Sequence, residues 1–276
     1  MKQLISTNWL EKNIDQVKIL DASWHLPNSK RSAESEYMTN HIKNSIFFDV
    51  DKYSNQNSSL PHMLPSKNDW ESIMSKLGIK NSDHVVVYDN SEVFSACRVW
   101  FSFIYFGHDP NLISVLDGDF KKWLHEKKPT SKEILKILKS DYKAKEEESL
   151  IITKDQVNQN IKNKKFQLID ARSEKRFLGL QPEPREGMRS GHIEDSKNLP
   201  FQLLINEDRT FKNVDELASI FKEKEISIHK DKAFSCGSGI TACILGLANS
   251  LITDKKPKIY DGSWAEYGLK NNENFN

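Results

Sequence analysis

Cysteine is scarce in this 276-residue chain, and long apolar runs are missing from it. The three cysteines, Cys97, Cys236 and Cys243, are too few and too odd in number for a disulfide framework. No run of about 18 apolar residues occurs, so no membrane-spanning helix is expected. The formal net charge of +1 gives no global field that would attract nucleic acid or an acidic membrane. The sequence therefore predicts neither nucleic acid nor membrane as a partner.

The chain also lacks the patterns of export and of metal or nucleotide binding. Residues 1–6 do not form the apolar core of a signal peptide, nor an arginine-rich presequence. Together with the few cysteines, this predicts a reducing, cytoplasmic location. No cluster has the ligand spacing of a zinc site, and no glycine-rich phosphate loop with its lysine is present. We therefore expect no bound metal.

What is present is an alternation of short apolar runs with longer apolar or amphipathic stretches. The predicted elements of the first half are strands at 17–21, 85–89 and 112–116, and helices at 7–17, 68–77 and 95–106. Asn68 is the expected N-cap of the second helix and Gly78 its end. Such an alternation predicts an α/β fold with a mostly parallel sheet flanked by helices.

The second half of the chain repeats the first. Four segments match in the same order, namely 4–7 with 150–153, 18–22 with 167–171, 40–45 with 191–196 and 115–120 with 259–264. The offset stays near 148 residues, far above the period of a solenoid. The repeat predicts two domains, at 1–126 and 149–276, with an ordered, exposed linker at 127–148.

Cys236 lies in the most informative stretch of the chain. Residues 226–234 alternate in the manner of a strand, residues 240–248 suit a buried helix, and Gly237 and Gly239 flank a serine between them. A strand, a glycine turn and a helix N-terminus direct backbone N–H groups at one spot, which stabilises a thiolate there. We interpret Cys236 as a nucleophile in an anion-binding turn. The alternative, a small buried cysteine, is our interpretation of Cys243.

The repeat indicates which half carries the chemistry. An alignment without gaps places Asn90 opposite Cys236, and the first half has neither glycine. The first half therefore keeps the fold but lacks the nucleophile, and only the second half is expected to be catalytic.

Two arginines of the second half, Arg176 and Arg185, could converge on one carboxylate, which a planar guanidinium binds with two hydrogen bonds. Pro182 and Pro184 hold the backbone extended and fix the direction of Arg185. The alternative is that these arginines form surface ion pairs with Glu174, Glu183 or Glu186. Other cations of this region are expected at the surface: Arg172, Arg189 and Lys197.

A second polar group lies in the first half. Asp51 and His62 could handle protons at a cleft. Equally, they could be a turn aspartate and a histidine capped by its own loop. Asp49 lies two residues from Asp51 and faces the same side of an extended segment, so the residues alone do not choose between the two acids.

With these residues assembled, the chain resembles the tandem-domain rhodanese superfamily of sulfurtransferases, over essentially its whole length. Matching segments lie at 4–10, 94–96, 98–100, 115–118, 182–185, 191–193 and 261–264. The loop at 236–241 is similar to the Cys-Gly-Ser-Gly-Val-Thr of its mercaptopyruvate-using branch, with Ile240 in place of valine. Thiosulfate-preferring members carry Arg and Lys after the cysteine, so Gly237 and Ser238 favour the mercaptopyruvate branch.

The resemblance implies a role for each of these residues. Cys236 matches the nucleophile that forms a persulfide, and Ser238 matches a serine that assists proton movement. Arg176 and Arg185 match the arginines that bind the substrate carboxylate and ketone. The remaining implied site residues are Asp51 and His62 for proton transfer, and Gly237, Gly239, Ile240 and Thr241 in the substrate-binding loop. No metal or organic cofactor is implied.

The predicted reaction is transfer of sulfur from 3-mercaptopyruvate through a Cys236 persulfide to a thiol, such as thioredoxin or a small thiol, or to cyanide. Thiosulfate as donor is the alternative. A phosphatase or arsenate reductase of similar fold would need an arginine closing the loop, where Ala242 stands. A non-catalytic binding module would not need to retain Cys236 and its glycines.

Overall fold

The computed structural model of the chain describes residues 3–270, which belong to two compact units. The first unit comprises Met1–Gln56, Leu64–Glu147 and Asn206–Phe211, and the second comprises Asn57–Met63, Glu148–Ile205 and Lys212–Asn276. Each unit thus includes a short segment from the other half of the sequence. The predicted domain ends at residues 1–2 and 271–276 lie outside the described residues, and the boundaries near 127 and 149 stay predictions.

The first unit alternates strands and helices. Its strands are β1 (Leu4–Ser6), β2 (Lys18–Asp21), β3 (His41–Ile42), β4 (Ser45–Phe47), β5 (Val85–Tyr88), β6 (Ile113–Asp117) and β7 (Thr130–Ser131). Its helices are α1 (Thr7–Asn13), α2 (Ala33–Thr39), α3 (Lys67–Lys76), α4 (Ala96–Tyr105) and α5 (Asp119–His125). A 3-10 turn spans Pro27–Ser29.

The second unit has the same kind of order. Its strands are β8 (Ile151–Ile152), β9 (Gln167–Asp170), β10 (Lys197–Asn198), β11 (Lys232–Ser235) and β12 (Ile259–Tyr260). Its helices are α6 (Lys154–Asn163), α7 (Glu174–Phe177), α8 (Val214–Glu223), α9 (Ala242–Thr253) and α10 (Ser263–Tyr267). Two 3-10 turns lie at Glu148–Leu150 and Phe201–Leu204.

The two five-stranded sheets share one topology. The order is β1-β6-β5-β2-β4 in the first unit and β8-β12-β11-β9-β10 in the second, and the strand pairings in both are parallel. Matching strands of the repeat occupy matching places. The predicted duplication and α/β class are therefore confirmed, and in each unit the loop after the central strand, β5 or β11, leads into a largely buried helix.

Each unit has its own apolar core. In the first, Ile19, Val86 and Trp123 are fully buried in one cluster, and in the second, Ala233 and Tyr260 are. The most apolar helices, α4 and α9, bury nearly all of their side chains, as expected of helices that cover a central parallel strand. None of the helices in the described part of the chain is long and apolar enough to cross a membrane.

Three predicted elements need correction. The helix predicted at 7–17 ends at Asn13, and the cap of α3 is Ser66, whose Oγ accepts a hydrogen bond from the Asp69 N–H (3.2 Å), rather than Asn68. The strand predicted at 226–234 begins only at Lys232. Its Nζ donates to the carbonyls of residues 227, 228 and 230, which folds the preceding segment into a loop despite its alternating pattern.

The segment predicted as an exposed linker is in part built into the first unit. Its strand β7 pairs antiparallel with β3, and Tyr142 is 1% exposed. Leu138, by contrast, is 80% exposed, while its carbonyl lies so close to Gly78 that a Cβ there would approach it to 2.8 Å. Residues 137 and 138 thus lie against Gly78, just beyond the end of α3, and residues 134–138 are not helical.

Candidate active site

The loop at 236–241 begins at the end of β11 and is held by the N-terminus of α10. The Cys236 N–H donates to Ser263 Oγ (3.1 Å), and the Cys236 carbonyl accepts from the Trp264 N–H (2.9 Å). The Gly237 carbonyl accepts from the Ala265 N–H (2.8 Å). Cys236 itself is 1% exposed. The backbone around the cysteine is therefore fixed from one side, independently of the cysteine side chain.

The far end of the loop turns into α9. Gly239 has a φ of 80°, a left-handed conformation that favours glycine. Its carbonyl accepts from Cys243 Sγ (3.2 Å), and the Ile240 carbonyl accepts from the Cys243 N–H (3.1 Å). Thr241 is the N-cap residue. Cys243 is thus a buried helix residue, as predicted.

The serine of the loop contacts a histidine from the short segment Asn57–Met63. His62 Nδ1 lies 2.9 Å from Ser238 Oγ, and both side chains are nearly buried. His62 has a φ of 60°, a conformation costly for a residue with a Cβ. Although far away in sequence, His62 belongs to the same compact unit as Cys236.

The two acids considered for proton transfer, Asp49 and Asp51, lie in the first unit. Asp51 Oδ2 accepts from Trp24 Nε1 (2.9 Å), whereas Asp49 Oδ1 accepts from the N–H of Lys52 three residues on (3.0 Å). Asp49 is therefore a turn aspartate, and Asp51 is the acid with a partner outside its own turn.

Arg176, on α7, lies beside the loop. A Cβ placed on Gly237 would stand 3.1 Å from Arg176 Nη2. The guanidinium also forms a two-bond pair with Glu183, from Nε to Oε1 (3.1 Å) and from Nη2 to Oε2 (2.5 Å). Arg176 is thus ion-paired with Glu183 and adjoins the loop, while the binding of a carboxylate by Arg176 and Arg185 stays a prediction. Arg185, two residues past Glu183, is partly buried.

The expectation that Arg172 lies at the surface is wrong. Its side chain is 0% exposed, and its Nε and Nη2 donate to both carboxylate oxygens of Asp170 (2.6–3.1 Å). Its Nη1 donates to Glu183 Oε1 (2.9 Å). Burial alone would lower the pKa of Arg172, but the two carboxylates outweigh it and raise that pKa. A cation is stable here because its charge is fully paired.

Arg189 was also expected at the surface, and it too is engaged. Its guanidinium carbon lies 4.7 Å from the ring centre of Trp264, and that of Arg172 lies 4.5 Å from the same ring. Two guanidiniums thus contact the indole of the residue whose N–H holds the Cys236 carbonyl, an arrangement favoured by the negative face of the ring. Both arginines therefore contact a residue that holds the backbone of the cysteine loop.

The strand register identifies the first-half counterpart of Cys236. Ala22 donates to the Tyr88 carbonyl (2.8 Å), and Ala171 of the second half donates in the same way to the Ser235 carbonyl (2.8 Å). The residue after each strand is therefore equivalent, which places Asp89, not Asn90, opposite Cys236. The alignment without gaps was wrong by one residue, because the loop runs over 89–95 in the first half and over 236–241 in the second.

The carboxyl group of Asp89 accepts hydrogen bonds from the backbone of its own loop. Oδ1 accepts from the Ser91 N–H (2.8 Å), and Oδ2 accepts from the Ala96 N–H at the start of α4 (2.8 Å). In the second half, Ser238 and Ala242 hold the matching positions. A backbone site for an anion therefore exists in the first half, where it is filled by the protein itself.

In the first half, the residue equivalent to Arg176 carries the opposite charge. The ring of Tyr37 stacks on His41 (4.1 Å) as that of Phe177 stacks on His192 (3.9 Å), so the residues that precede the two rings correspond. Glu36 therefore stands where Arg176 stands. Glu36 Oε2 accepts from Asn90 Nδ2 (3.0 Å), a contact that parallels Arg176 beside Gly237.

The comparisons with known proteins agree with this duplicated architecture. The rhodanese-like domain family matches residues 6–126 and 153–270. A thiosulfate/3-mercaptopyruvate sulfurtransferase of Arabidopsis thaliana, named as mitochondrial, is 39% identical and covers 97% of this chain and 76% of its own. The thiosulfate sulfurtransferase of Rattus norvegicus is 38% identical, with 96% of this chain and 92% of its own covered.

A solved structure gives the same picture. SseA of Escherichia coli, described as a 3-mercaptopyruvate sulfotransferase with the rhodanese fold, superposes with a TM-score of 0.86 at 31% identity. The match covers 96% of this chain and all of that one.

A tandem pair of parallel-sheet units with a single cysteine-centred loop defines a two-domain rhodanese-fold protein. The chain belongs to the rhodanese family, and it is a sulfurtransferase. The predicted fold, enzyme class and transfer of sulfur are thereby confirmed, and a donor and an acceptor of sulfur follow from the class.

Sequence reasoning missed three residues that shape this site: Ser263, Glu183 and Arg172. Ser263 follows the Asp-Gly pair that the repeat had marked, so its position was visible but its hydrogen bond to the Cys236 N–H was not. Glu183 was considered only as a surface partner, although its side chain is 4% exposed. Among the described residues, no group of three or more potential ligands could hold a metal ion.

Proposed function

We propose that this sulfurtransferase takes sulfur from 3-mercaptopyruvate onto Cys236 as a persulfide and passes it to a thiol or to cyanide. The observation that supports 3-mercaptopyruvate as the donor is the composition of the loop at 236–241. Gly237 leaves room for the guanidinium of Arg176, and Ser238 is hydrogen-bonded to His62. A loop with Arg and Lys at these two positions would instead present two further cations, which suit a dianion.

The first half-reaction follows from these groups. The Cys236 thiolate attacks the sulfur of the donor thiol, the carbon–sulfur bond breaks, and its electron pair remains on the carbon fragment as the enolate of pyruvate. Arg176 and Arg185 bind the carboxylate and the ketone oxygen, where negative charge grows as the enolate forms. Protonation of the enolate carbon gives pyruvate, and Ser238 and His62 are the groups proposed to supply that proton.

The second half-reaction returns the enzyme to its first state. An acceptor thiolate, or cyanide, attacks the outer sulfur of the persulfide, and Cys236 leaves as the thiolate. Gly237, Gly239, Ile240 and Thr241 shape the turn that holds the persulfide, and the N–H groups of Ser238 and Ala242 correspond to those that hold Asp89 in the first half. The low exposure of Cys236 supports a persulfide shielded from solvent.

The test is turnover combined with intact mass. The purified protein should release pyruvate from 3-mercaptopyruvate, and donor treatment without acceptor should add one sulfur atom to the protein. A parallel assay with thiosulfate and cyanide decides between the donors, which the names of the relatives leave open. Release of pyruvate without added sulfur would contradict the persulfide, and turnover of thiosulfate alone would contradict the donor.

The proposal also includes the cellular location of the protein and the acceptor of its sulfur. We place the protein in the reducing cytoplasm, because three cysteines are too few and too odd in number for a disulfide framework. A relative named as mitochondrial makes the mitochondrion the competing location. Thioredoxin or a small thiol is the proposed acceptor. Cell fractionation, and acceptor assays with reduced thioredoxin against a small thiol, test these two points separately.

A further inference from the structure

Glu183 is a nearly buried carboxylate that joins two arginines of the second unit. Its Oε1 accepts from both Arg172 Nη1 (2.9 Å) and Arg176 Nε (3.1 Å), and its Oε2 accepts from Arg176 Nη2 (2.5 Å). The side chain is 4% exposed, against 0% for Arg172 and 23% for Arg176. One carboxylate thus pairs with a fully buried cation on one side and a partly exposed cation on the other.

The pairing with Glu183 determines which N–H groups of Arg176 remain available to bind an anion. A guanidinium has one N–H on Nε and two on each Nη. Glu183 takes the Nε–H and one N–H of Nη2, so both N–H groups of Nη1 and the second of Nη2 are left. One N–H of each Nη forms the outer edge of the guanidinium, and Nη2 is the atom nearest to the open side of Gly237. Glu183 therefore turns the outer edge of Arg176 toward the loop.

Arg172 links this pair to the sheet. It binds both oxygens of Asp170, the last residue of β9, and Asp170 pairs in register with Ser235, the residue before Cys236. The chain of ion pairs Asp170–Arg172–Glu183–Arg176 thus starts next to the strand that carries the cysteine. A partly exposed arginine that ends such a chain loses less side-chain freedom when it binds an anion.

We propose that Glu183 is a positioning residue for the sulfur-transfer reaction, which acts through Arg176 and is itself anchored by Arg172. This rests on the proposed function, in which Arg176 binds the carboxylate or ketone of the donor. A guanidinium held in one direction binds a planar anion with two hydrogen bonds, whereas a mobile one must first be ordered. Glu183 need not touch the substrate for this role.

The competing explanation is that Glu183 only stabilises the fold, since removal of one member of a buried ion pair leaves an uncompensated charge. A double-mutant cycle separates the two roles. A loss of stability lowers activity whether or not Arg176 is present. A positioning effect exists only while the arginine that it positions is present.

The experiment measures kcat and KM for Glu183→Gln, Arg176→Lys and the double variant, with 3-mercaptopyruvate and with thiosulfate as donors. Glu183→Gln should lower kcat/KM about tenfold, since it removes charge-assisted hydrogen bonds to Arg176. In the Arg176→Lys background the same change should cost less than about twofold. Glu186→Gln, an exposed neighbour in the same segment, is the matched control and should leave both parameters unchanged.

Glu183→Asp provides the same test if Glu183→Gln does not fold. It keeps the negative charge between the two arginines but is shorter by one methylene, so it should fold, lose part of the activity and show the same dependence on Arg176. Equal losses in both backgrounds, or no loss in either, would overturn the positioning role. Absence of turnover by the unmodified protein with both donors would instead overturn the proposed function.

Discussion

The loops that follow β5 and β11 start at equivalent points of two matching sheets, yet they begin with different residues. In the first, the Asp89 carboxylate accepts the N–H groups of Ser91 and Ala96. In the second, Cys236 holds the equivalent position, and the loop is one residue shorter. One backbone arrangement thus begins with a carboxyl group in the first half and with a thiol in the second. In the first half, the side chain of Asp89 itself occupies the backbone site.

A second difference lies on the opposite side of each loop. Arg176 adjoins Gly237 in the second half, and Glu36 bonds Asn90 in the first. Glu36 is in turn paired with Arg31 (2.6 Å). Asn90 thus contacts both members of the Glu36–Arg31 pair, since Arg31 Nη2 donates to its carbonyl (3.1 Å), whereas Gly237 adjoins the guanidinium of Arg176. The two halves therefore differ in the charged groups beside the loop as well as in the residue that begins it.

The largest expected effect is that of the cysteine. Cys236→Ser should abolish sulfur transfer, because a serine cannot form a persulfide, while Cys97→Ser and Cys243→Ser should keep most of the activity. Pyruvate release and intact mass check this. Asp89→Cys added to Cys236→Ser should remain inactive, because the carboxylate of Glu36 stands where the guanidinium of Arg176 stands in the second half. Recovered turnover would show that the first half lacks only a sulfur.

Next come the two arginines. Arg176→Lys and Arg185→Lys should each lower kcat/KM by about ten- to hundredfold, since an ammonium replaces a planar fork at a cost of roughly 1.5–3 kcal/mol. Arg172 and Arg189 are unsuitable controls, because both contact Trp264. Lys175→Gln removes an exposed charge from the same helix instead. Steady-state kinetics in which the arginine variants match this control would place the carboxylate site elsewhere.

A smaller effect is expected at the glycine that adjoins Arg176. Gly237→Ala adds a Cβ 3.1 Å from Nη2, and Glu183 limits how far the guanidinium can move away. We expect a loss of a few-fold in kcat/KM from the displaced arginine. Asn90→Gly, the matching change in the first half, should not alter turnover. Equal effects of the two substitutions in the same assay would contradict the asymmetry between the halves.

The smallest effect concerns stability and pH. Burial, and then the charge of Asp119, raise the pKa of Asp89 to about 7, although the N–H groups of Ala96 and Ser91 and the charge of Arg209 oppose the shift. The folded state thus keeps a proton that the unfolded chain loses near pH 4, so stability falls as pH rises from about 4 to 7. The change is on the order of 1–4 kcal/mol.

Asp89→Asn should flatten this slope, because the amide does not titrate. It also leaves the Ala96 N–H facing an amide donor, so the variant should be less stable at low pH. Urea unfolding at several pH values between 5 and 8 measures both effects. A slope that is unchanged in Asp89→Asn would assign the pH dependence to other groups of the first unit, such as Asp119.

Much of this fold is readable from local patterns, and the site is readable only in part. The short apolar runs predicted β2, β5 and β6 because a buried parallel strand needs little more than such a run. The loop at 236–241 was recognised because its cysteine, serine and glycines are adjacent in sequence. Ser66 rather than Asn68 caps α3, because the two candidates differ by only two residues and the sequence alone does not fix the first turn.

The partners across the fold could not be read in this way. Glu183 was visible as a residue, but its burial between Arg172 and Arg176 depends on how an irregular, proline-containing segment returns to the sheet. The equivalence of Asp89 with Cys236 needed the strand register, because one extra residue in a loop cannot be located from two matching helices alone. Both cases involve contacts between residues that no local period connects.

The most direct test of the account is a crystal structure of the protein treated with 3-mercaptopyruvate in the absence of acceptor. We expect one additional sulfur bonded to Cys236 Sγ, within hydrogen-bond distance of the Ser238 and Ala242 N–H groups, in the position that the Asp89 carboxyl group occupies in the first half. Additional sulfur on Cys97 or Cys243, or on Cys236 but directed away from those two N–H groups, would contradict it.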